Sequence, residues 1–449
     1  MADQAATLII PVENQVRELD AKLLLGCIAA ERGFPVILGS RAYVHFAADS
    51  MPRGVYLAKS MRSLSDRMFT ILRKLGHEIV AFDEEGLVRP SDARYYARRM
   101  SEVAVPQVSA LLAWGPDNAA TFERFPAARG VPIHVTGNPR IDMLRPDVRP
   151  FYAEQARRIR ERFGRFILLN SNFGLLNHYI PRLRLDALGG ESLDEFTATL
   201  AAHRKVIYAH FRKMIPELAA AFPEHTILIR PHPVETHEPW LELASGHPNI
   251  VVENDGSVVP WLMACEVLVQ NGCQTAIEGA LVGTPVVSFR PETNELDVEL
   301  IESLSHQAPG LSALLEIVRS ILAGELGPHE HPDRKRDLER HIAALDGPLA
   351  AERMVDVLGK AGYGTRPPPR TSAARHLNGW LHNRLRTASK RINMRRREHR
   401  NSQDYHDHRF PDVSLDDVRE RIARLGQQLG RFENLRVRQR SQHLFHIDA

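Results

Sequence analysis

The chain has 449 residues, 43% of them hydrophobic and 25% charged, with a formal net charge of +3. That composition suits a soluble globular protein and excludes fibrous, low-complexity and disulfide-dense classes. The length is about three times the ~150-residue domain prior, so two or three domains are expected. No apolar run approaches the ~20 residues that span a bilayer.

From the N-terminus, residues 7–12 read as a buried strand, too short for a signal segment and followed at once by Glu13 and Arg17. The spacing of Leu19, Leu23 and Cys27 predicts a helix after it. Val36–Leu38 is a second strand. A helical pattern near 61–75 is broken by Gly76 and His77, and strands follow at 78–82, 109–114 and 133–136. Residues 137–146 read as a turn and crossover. A second series opens with the strand 166–170, continues through a long helix at 194–221, and closes with strands at 226–230, 249–252, 266–270 and 285–289. Strands alternating with helices mean parallel sheets with helical crossovers.

The expected organisation is a Rossmann-like domain over 1–147, a second over 148–362, and a basic linker with a helical tail over 363–449. Gly364-Thr-Arg-Pro-Pro-Pro-Arg370 marks the linker. Residues 366–400 carry eleven arginines and lysines against Glu398 alone. Leu377, Trp380, Leu381, Leu385 and Ile392 recur among them at near-helical spacing. A basic amphipathic helix of this kind reads as a membrane-surface element; nucleic-acid binding and a solvated tail are the competing readings. Ser414, with Asp416 and Asp417 behind it, starts a further helix. The cysteines Cys27, Cys265 and Cys273 are scattered and read as free thiols in a cytoplasmic protein. His406-Asp-His408 alone is too sparse to specify a metal.

The chemistry concentrates between 227 and 290. Arg230-Pro-His-Pro233 sits at the carboxyl end of a strand, where open α/β sheets bind ligands. The prolines fix the backbone and aim His232, and Arg230 is suited to a phosphate; a rigid strand-to-loop turn is the plainer alternative. Asn271-Gly-Cys-Gln-Thr275 then leads from a strand into a helix. Small residues there let backbone N–H groups approach an anion at the positive end of the helix dipole. Gly272, Gln274 and Thr275 belong to this set, with Glu278 one turn inside to accept from ribose hydroxyls. Ser171 and Asn172 end another strand and are candidates for phosphate contact. In the first half, Asp83, Glu84 and Glu85 follow the strand 78–82 and are candidates for deprotonating an acceptor hydroxyl, unless they form a solvated acidic loop. Glu13 and Arg17 are candidates for the acceptor side.

These motifs in this order resemble the bacterial surface carbohydrate biosynthesis proteins, similar to capsule and lipopolysaccharide glycosyltransferases of the GT-B fold. The matching text is Leu8-Ile-Ile-Pro-Val-Glu13, Arg17-Glu-Leu-Asp-Ala-Lys22, Asp83-Glu-Glu-Gly86, Gly137-Asn-Pro-Arg-Ile-Asp142, Arg230-Pro-His-Pro233 and residues 271–285. A His-Pro motif paired with an acidic-acidic-Gly motif is shared with sialyltransferases and Kdo transferases that use CMP-sugars. That resemblance implies nucleotide contact for His232 and Pro233 and a catalytic carboxylate at Glu84 or Glu85. Cys273-Gln-Thr275 departs from the paired serines of sialyltransferases, and only Thr275 supplies a hydroxyl. Two of the motifs also resemble CDP-glycerol glycerophosphotransferases.

The resulting expectation is an α/β GT-B protein with two Rossmann-like domains and a basic helical tail. It would move a sugar, most simply a CMP-activated acidic sugar, onto a glycan or glycolipid acceptor. It would need neither metal nor cofactor nor nucleic acid, and would sit peripherally on the inner membrane. A glycerophosphotransferase or nucleotide-sugar epimerase on the same fold, and a non-catalytic membrane-associated scaffold, are the alternatives.

Overall fold

The computed structural model describes residues 5–89, 91–184, 195–396, 399 and 401–449. Arg397, Glu398 and Arg400 of the basic segment lie outside the described residues, as does position 194 of the expected long helix. The chain divides into two compact units, one formed by Met1–Phe151 with Arg336–Ala449, the other by Tyr152–Lys335.

In the first unit, β1 (Thr7–Val12), β2 (Val36–Ser40), β3 (Gly54–Ala58), β4 (Glu78–Ala81), β5 (Ala110–Ala113) and β6 (Ile133–Val135) are parallel, in the order β2-β1-β3-β4-β5-β6. β1 to β3 and β5 are buried along their whole length, as expected of parallel strands covered on both faces. β3 escaped the sequence reading, although it pairs with both β1 and β4 at the centre of the sheet. The helix Asp66–Leu75 stops at Gly76, whose φ of +90° supplies the left-handed cap.

The second unit holds β7 (Phe166–Asn170), β8 (Thr226–Arg230), β9 (Ile250–Val252), β10 (Val267–Gln270), β11 (Val286–Phe289) and β12 (His306–Ala308). They form one parallel sheet in the order β12-β11-β10-β7-β8-β9. The long helix is Glu195–Ala221, and it buries Phe211, Met214, Ile215 and Leu218 beside the sheet residues Ile167, Ile229 and Val269.

The expected boundary at 362 and the separate tail are corrected. Residues 336–449 fold into the first unit. The reason is visible at Gly137-Asn-Pro-Arg-Ile-Asp142. The Asp142 carboxylate accepts the N–H groups of Ala350 (2.8 Å) and Ala351 (2.9 Å), capping the helix Ala350–Lys360. At Gly137, φ is +83° and an added Cβ would lie 2.6 Å from the Ala343 carbonyl oxygen, so only glycine lets that segment through.

Further on, the helix Ala373–Met394 packs on Asp66–Leu75. Asn383 donates to Asp49 at 3.2 Å and Arg384 pairs with Asp49 at 2.5 Å. The helix Leu415–Leu429 opens with the Ser414–Asp417 capping box. Finally β13 (Arg436–Ser441) and β14 (Leu444–Asp448) form a hairpin that adds antiparallel to the edge of β2. Among the described residues no helix is long and apolar enough to cross a membrane.

Candidate functional site

The strand order of the second unit reverses at β7, which is flanked by β8 on one side and β10 on the other. Ligands of open parallel sheets bind outside the carboxyl ends at such a switch point. Three sequence candidates meet there because their strands are neighbours: Asn170-Ser-Asn172 after β7, Arg230-Pro-His-Pro233 after β8, and Asn271-Gly-Cys-Gln-Thr275 after β10. The last runs into the helix Thr275–Val282.

Much of this region is held by internal bonds. Ser171 donates to Glu235 at 2.9 Å and accepts the His232 N–H at 3.3 Å. Glu235, which the sequence reading missed, is 2% exposed and also accepts from the Phe173 N–H at 2.8 Å and the Trp240 indole at 3.2 Å. Burial raises its pKa, and these donors only partly oppose the rise. It therefore joins the loops after β7 and β8. His232 accepts the Val234 N–H on Nδ1 at 3.3 Å, so its neutral ring carries the proton on Nε2. Pro233 follows it directly.

Arg230, the expected phosphate ligand, is engaged within the protein. Its guanidinium donates to the carbonyls of Asp255 (3.0 Å) and Gly256 (2.6 Å) and lies 5.3 Å from the Trp261 ring centre. Burial lowers its pKa to about 10, against Asp255 and Glu253. Arg204, from the long helix, reaches the loops after β7 and β10. It donates to the Asn172 and Asn271 carbonyls, both at 3.3 Å, and burial lowers its pKa. Nothing in the sequence around position 204 signals this.

The turn after β10 is different. Gln270, fully buried, accepts the Cys273 N–H at 2.8 Å and donates to Ser288 at 3.2 Å, which shapes the turn. Gly272 takes φ +78° there, and Asn172 donates to its carbonyl at 3.4 Å. Beyond it, both side-chain atoms of the Asn271 amide, both of the Gln274 amide and the Thr275 hydroxyl are buried without a hydrogen-bond partner. Asn271 and Gln274 are 6% and 8% exposed. Each such orphan costs roughly 1–3 kcal/mol. Five together, at a helix N-terminus and a switch point, form a polar cradle whose hydrogen-bonding capacity the protein itself leaves unmet. Glu278 is buried in the first turn of the helix; Cys273 is half-buried, while Cys27 and Cys265 are buried core thiols.

The carboxyl ends of the first sheet carry charge instead. Glu18 accepts from Lys22 at 2.7 Å and pairs with Lys59. Glu13 pairs with Arg409 (2.7 Å), Lys59 (3.0 Å) and Arg41 (3.2 Å). Burial raises both carboxyls, but these cations hold both well below the usual carboxylate range.

The acidic triplet is split by its surroundings. Asp83 is fully buried against Arg99. Glu84 is 3% exposed, 3.3 Å from Lys22 and 3.9 Å from Arg140. Glu85 alone reaches solvent, with 44% of its side chain exposed and Arg17 at 3.3 Å. Burial raises its pKa, but Arg17, Arg140, Arg99 and Lys59 together lower it to about 2.

No protein-family model matches the chain, and no curated protein matches its sequence. Solved structures do. The wall teichoic acid polymerase TagF superposes with a TM-score of 0.51 at 10% identity, over 80% of this chain and 90% of its own. A putative UDP-N-acetylglucosamine 2-epimerase from Listeria monocytogenes gives 0.50 at 13%, over 83% and 100%. A TagF variant soaked with CDPG gives 0.50 at 11%, over 79% and 88%. At these identities the likeness establishes the fold, which is that of a GT-B protein with two Rossmann-like units and a helical C-terminal region.

Proposed function

We propose that the protein is a glycosyltransferase whose second unit binds a nucleotide-activated sugar and whose first unit receives a surface-glycan or glycolipid acceptor. The observation that carries this reading is the set of unsatisfied buried groups on Asn271, Gln274 and Thr275 at the switch point of the second sheet. Their chemistry, amide donors and acceptors beside a helix N-terminus, suits a nucleotide phosphate. A fold shared with a TagF variant soaked with CDPG and with a putative UDP-N-acetylglucosamine 2-epimerase is consistent with a nucleotide-linked donor. Within that class we favour a CMP-linked acidic sugar, on the resemblance of Arg230-Pro-His-Pro233 and Asp83-Glu-Glu-Gly86 to CMP-sugar transferases.

In this reading the acceptor hydroxyl oxygen bonds to the anomeric carbon as the sugar–phosphate bond breaks. The amides of Asn271 and Gln274, the helix terminus and Arg204 meet the charge on the departing nucleotide phosphate, in place of Arg230. The reading therefore calls for no metal ion, and undiminished turnover in EDTA checks that. Glu85 receives the hydroxyl proton. With a pKa of about 2 it does so late, once bonding to the sugar has made the hydroxyl acidic.

Calorimetric titration of CMP against UDP tests the donor. Tighter CMP binding, abolished in His232→Ala, supports the transferase reading. Preference for UDP favours an epimerase, and binding of neither favours a scaffold. Glu85→Ala should keep CMP binding and lose turnover; normal turnover in both variants would sink the site.

The helix Ala373–Met394 supports a membrane role. Leu377, Trp380, Leu381, Leu385 and Ile392 leave 39–63% of their surface exposed along one stripe, beside Arg384 and Arg391. Apolar groups of this size between arginines suit an anionic lipid surface. Replacing Leu377, Leu381 and Leu385 with serine should cut sedimentation with anionic vesicles several-fold; unchanged sedimentation would remove the membrane from the proposal.

A further inference from the structure

The first unit contains a cavity of about 140 Å³ between the carboxyl ends of β1 and β2 and residues 386–394 and 401–409. At roughly 30 Å³ per water it has room for several waters or a small anion. Its charged lining is Arg41, Arg386, Lys390 and Arg409 against Glu13 alone. Arg41 and Arg409 share the Glu13 carboxylate, and Lys390 bonds to Asn401.

Arg386 stands apart from these. Among the described residues no carboxylate lies within ion-pairing distance of it. Its Nη1 is buried without a partner, and its Nη2 donates only to His45 Nδ1 at 3.4 Å. His45 lies 2.8 Å from the Tyr56 hydroxyl through Nε2. Since its Nδ1 accepts from a guanidinium, the imidazole is neutral and carries its proton on Nε2. Burial, with Arg386 and Arg41 nearby, holds its pKa well below the usual value. Burial and the neighbouring Arg41 and Arg67 lower Arg386 itself to about 10.

An uncompensated buried guanidinium is expensive. Here it faces a cavity, so the missing counter-charge has a place to sit. Two groups besides Arg386 lean the same way, since Arg41 and Arg409 present forked donors suited to bidentate anion contacts. Arg41, Arg386 and Arg409 against Glu13 leave a surplus of two positive charges, which fits a phosphate monoester, at −1.5 to −2 near neutral pH, better than a single carboxylate. Phe46 and Met394 give the rest of the wall an apolar face for whatever the phosphate is attached to.

We propose that this cavity binds a phosphate ester, with Arg386 as its principal ligand. The proposal deepens the transferase reading by naming the acceptor chemistry as phosphorylated, either a lipid headgroup or a soluble phosphate ester. The helix that supplies Arg386 and Lys390, four residues apart on one face, carries the exposed apolar stripe on another.

The full chain is tested without nucleotide, so failure here is distinct from failure of the donor site. Inorganic phosphate should raise the unfolding temperature of the wild type in the low-millimolar range. Arg386→Gln should weaken that protection at least tenfold, yet unfold no earlier than wild type in phosphate-free buffer, because it removes an unpaired buried charge. Arg375→Gln, exposed on the same helix, should behave as wild type.

Vesicle sedimentation separates the sources. Preference for phosphatidic acid over phosphatidylserine at equal surface charge, lost in Arg386→Gln, identifies a headgroup. Protection by phosphate without that preference identifies a soluble ester. Three results overturn the proposal: neither response in the wild type, full protection retained in Arg386→Gln, or early unfolding of Arg386→Gln without phosphate.

Discussion

Both units end their parallel strands in polar residues, but they finish them in opposite ways. In the first, the groups after β1, β3 and β4 are charged and paired: Glu13, Glu18, Lys59, Asp83 and Glu84 each have a partner of opposite charge. In the second, the residues after β10 are neutral, and several of their atoms have no partner at all. Paired charges largely satisfy one another and make the first region rigid. Orphaned amides gain little in the free protein, and the proposed donor site accounts for their burial. The contrast separates charges satisfied within the fold from polar groups that the fold leaves unmet.

Substitutions can break this contrast, and the largest effect belongs to Glu18. Glu18→Ala leaves Lys22 and Lys59 buried beside fewer carboxylates, and removing one partner of a buried ion pair costs about 3–5 kcal/mol. Urea unfolding measures the loss; a change below about 1 kcal/mol would mean that the network is incidental.

Next is Asp142, whose pKa burial raises from 3.8 to about 7, against the donated N–H groups of Ala351 and Ala350. Because the folded pKa lies above the unfolded one, the native state holds this proton more tightly. Its stabilising contribution is present below pH 4 and is lost as pH rises through 7. At about 1.4 kcal/mol per pKa unit this amounts to up to about 4 kcal/mol. Asp142→Asn should flatten the fall in stability between pH 4 and 7; the same slope in wild type and variant refutes the assignment.

The smallest losses of stability are expected in the second unit. Asn271→Leu and Gln274→Met remove orphaned polar atoms at similar size, so neither should lower stability, and each should leave it unchanged or raise it by up to about 3 kcal/mol. Both should nevertheless weaken CMP binding at least tenfold. A large loss of stability with intact binding would reverse the roles assigned to the two sheets.

The sequence displayed the frame well, because continuous β-branched runs such as 166–170 and 226–230 announce buried parallel strands directly. It placed the loops after β7, β8 and β10 correctly because each motif directly follows such a run. It did not reveal Arg204, which lies mid-helix and reaches the site only through the packing of that helix. Nor did it separate Glu85 from Asp83 and Glu84, since three adjacent acids look alike until their neighbours are known. The internal contacts of Arg230 were hidden for the same reason: the strand brings it to the right end of the sheet, but its guanidinium bonds to the carbonyls at 255–256. The tail was read as an appendage because charge composition says nothing about long-range contacts. Its docking depends on Asp142, on Gly137 and on β2, all distant in sequence.

The hairpin seated on β2 also constrains how the chain is made. β2 ends at residue 40, and β14, which pairs with it, begins at 444. At ribosomal rates of about 5–20 residues per second, roughly 20–80 s separate their synthesis. Throughout that interval the edge of β2 lies open, an invitation to pairing with other nascent chains. The second unit, contiguous from 152 to 335, can close on the ribosome while the first still waits. Slowed elongation between 336 and 444 should therefore lower the yield of folded protein more than an equal pause within 152–335.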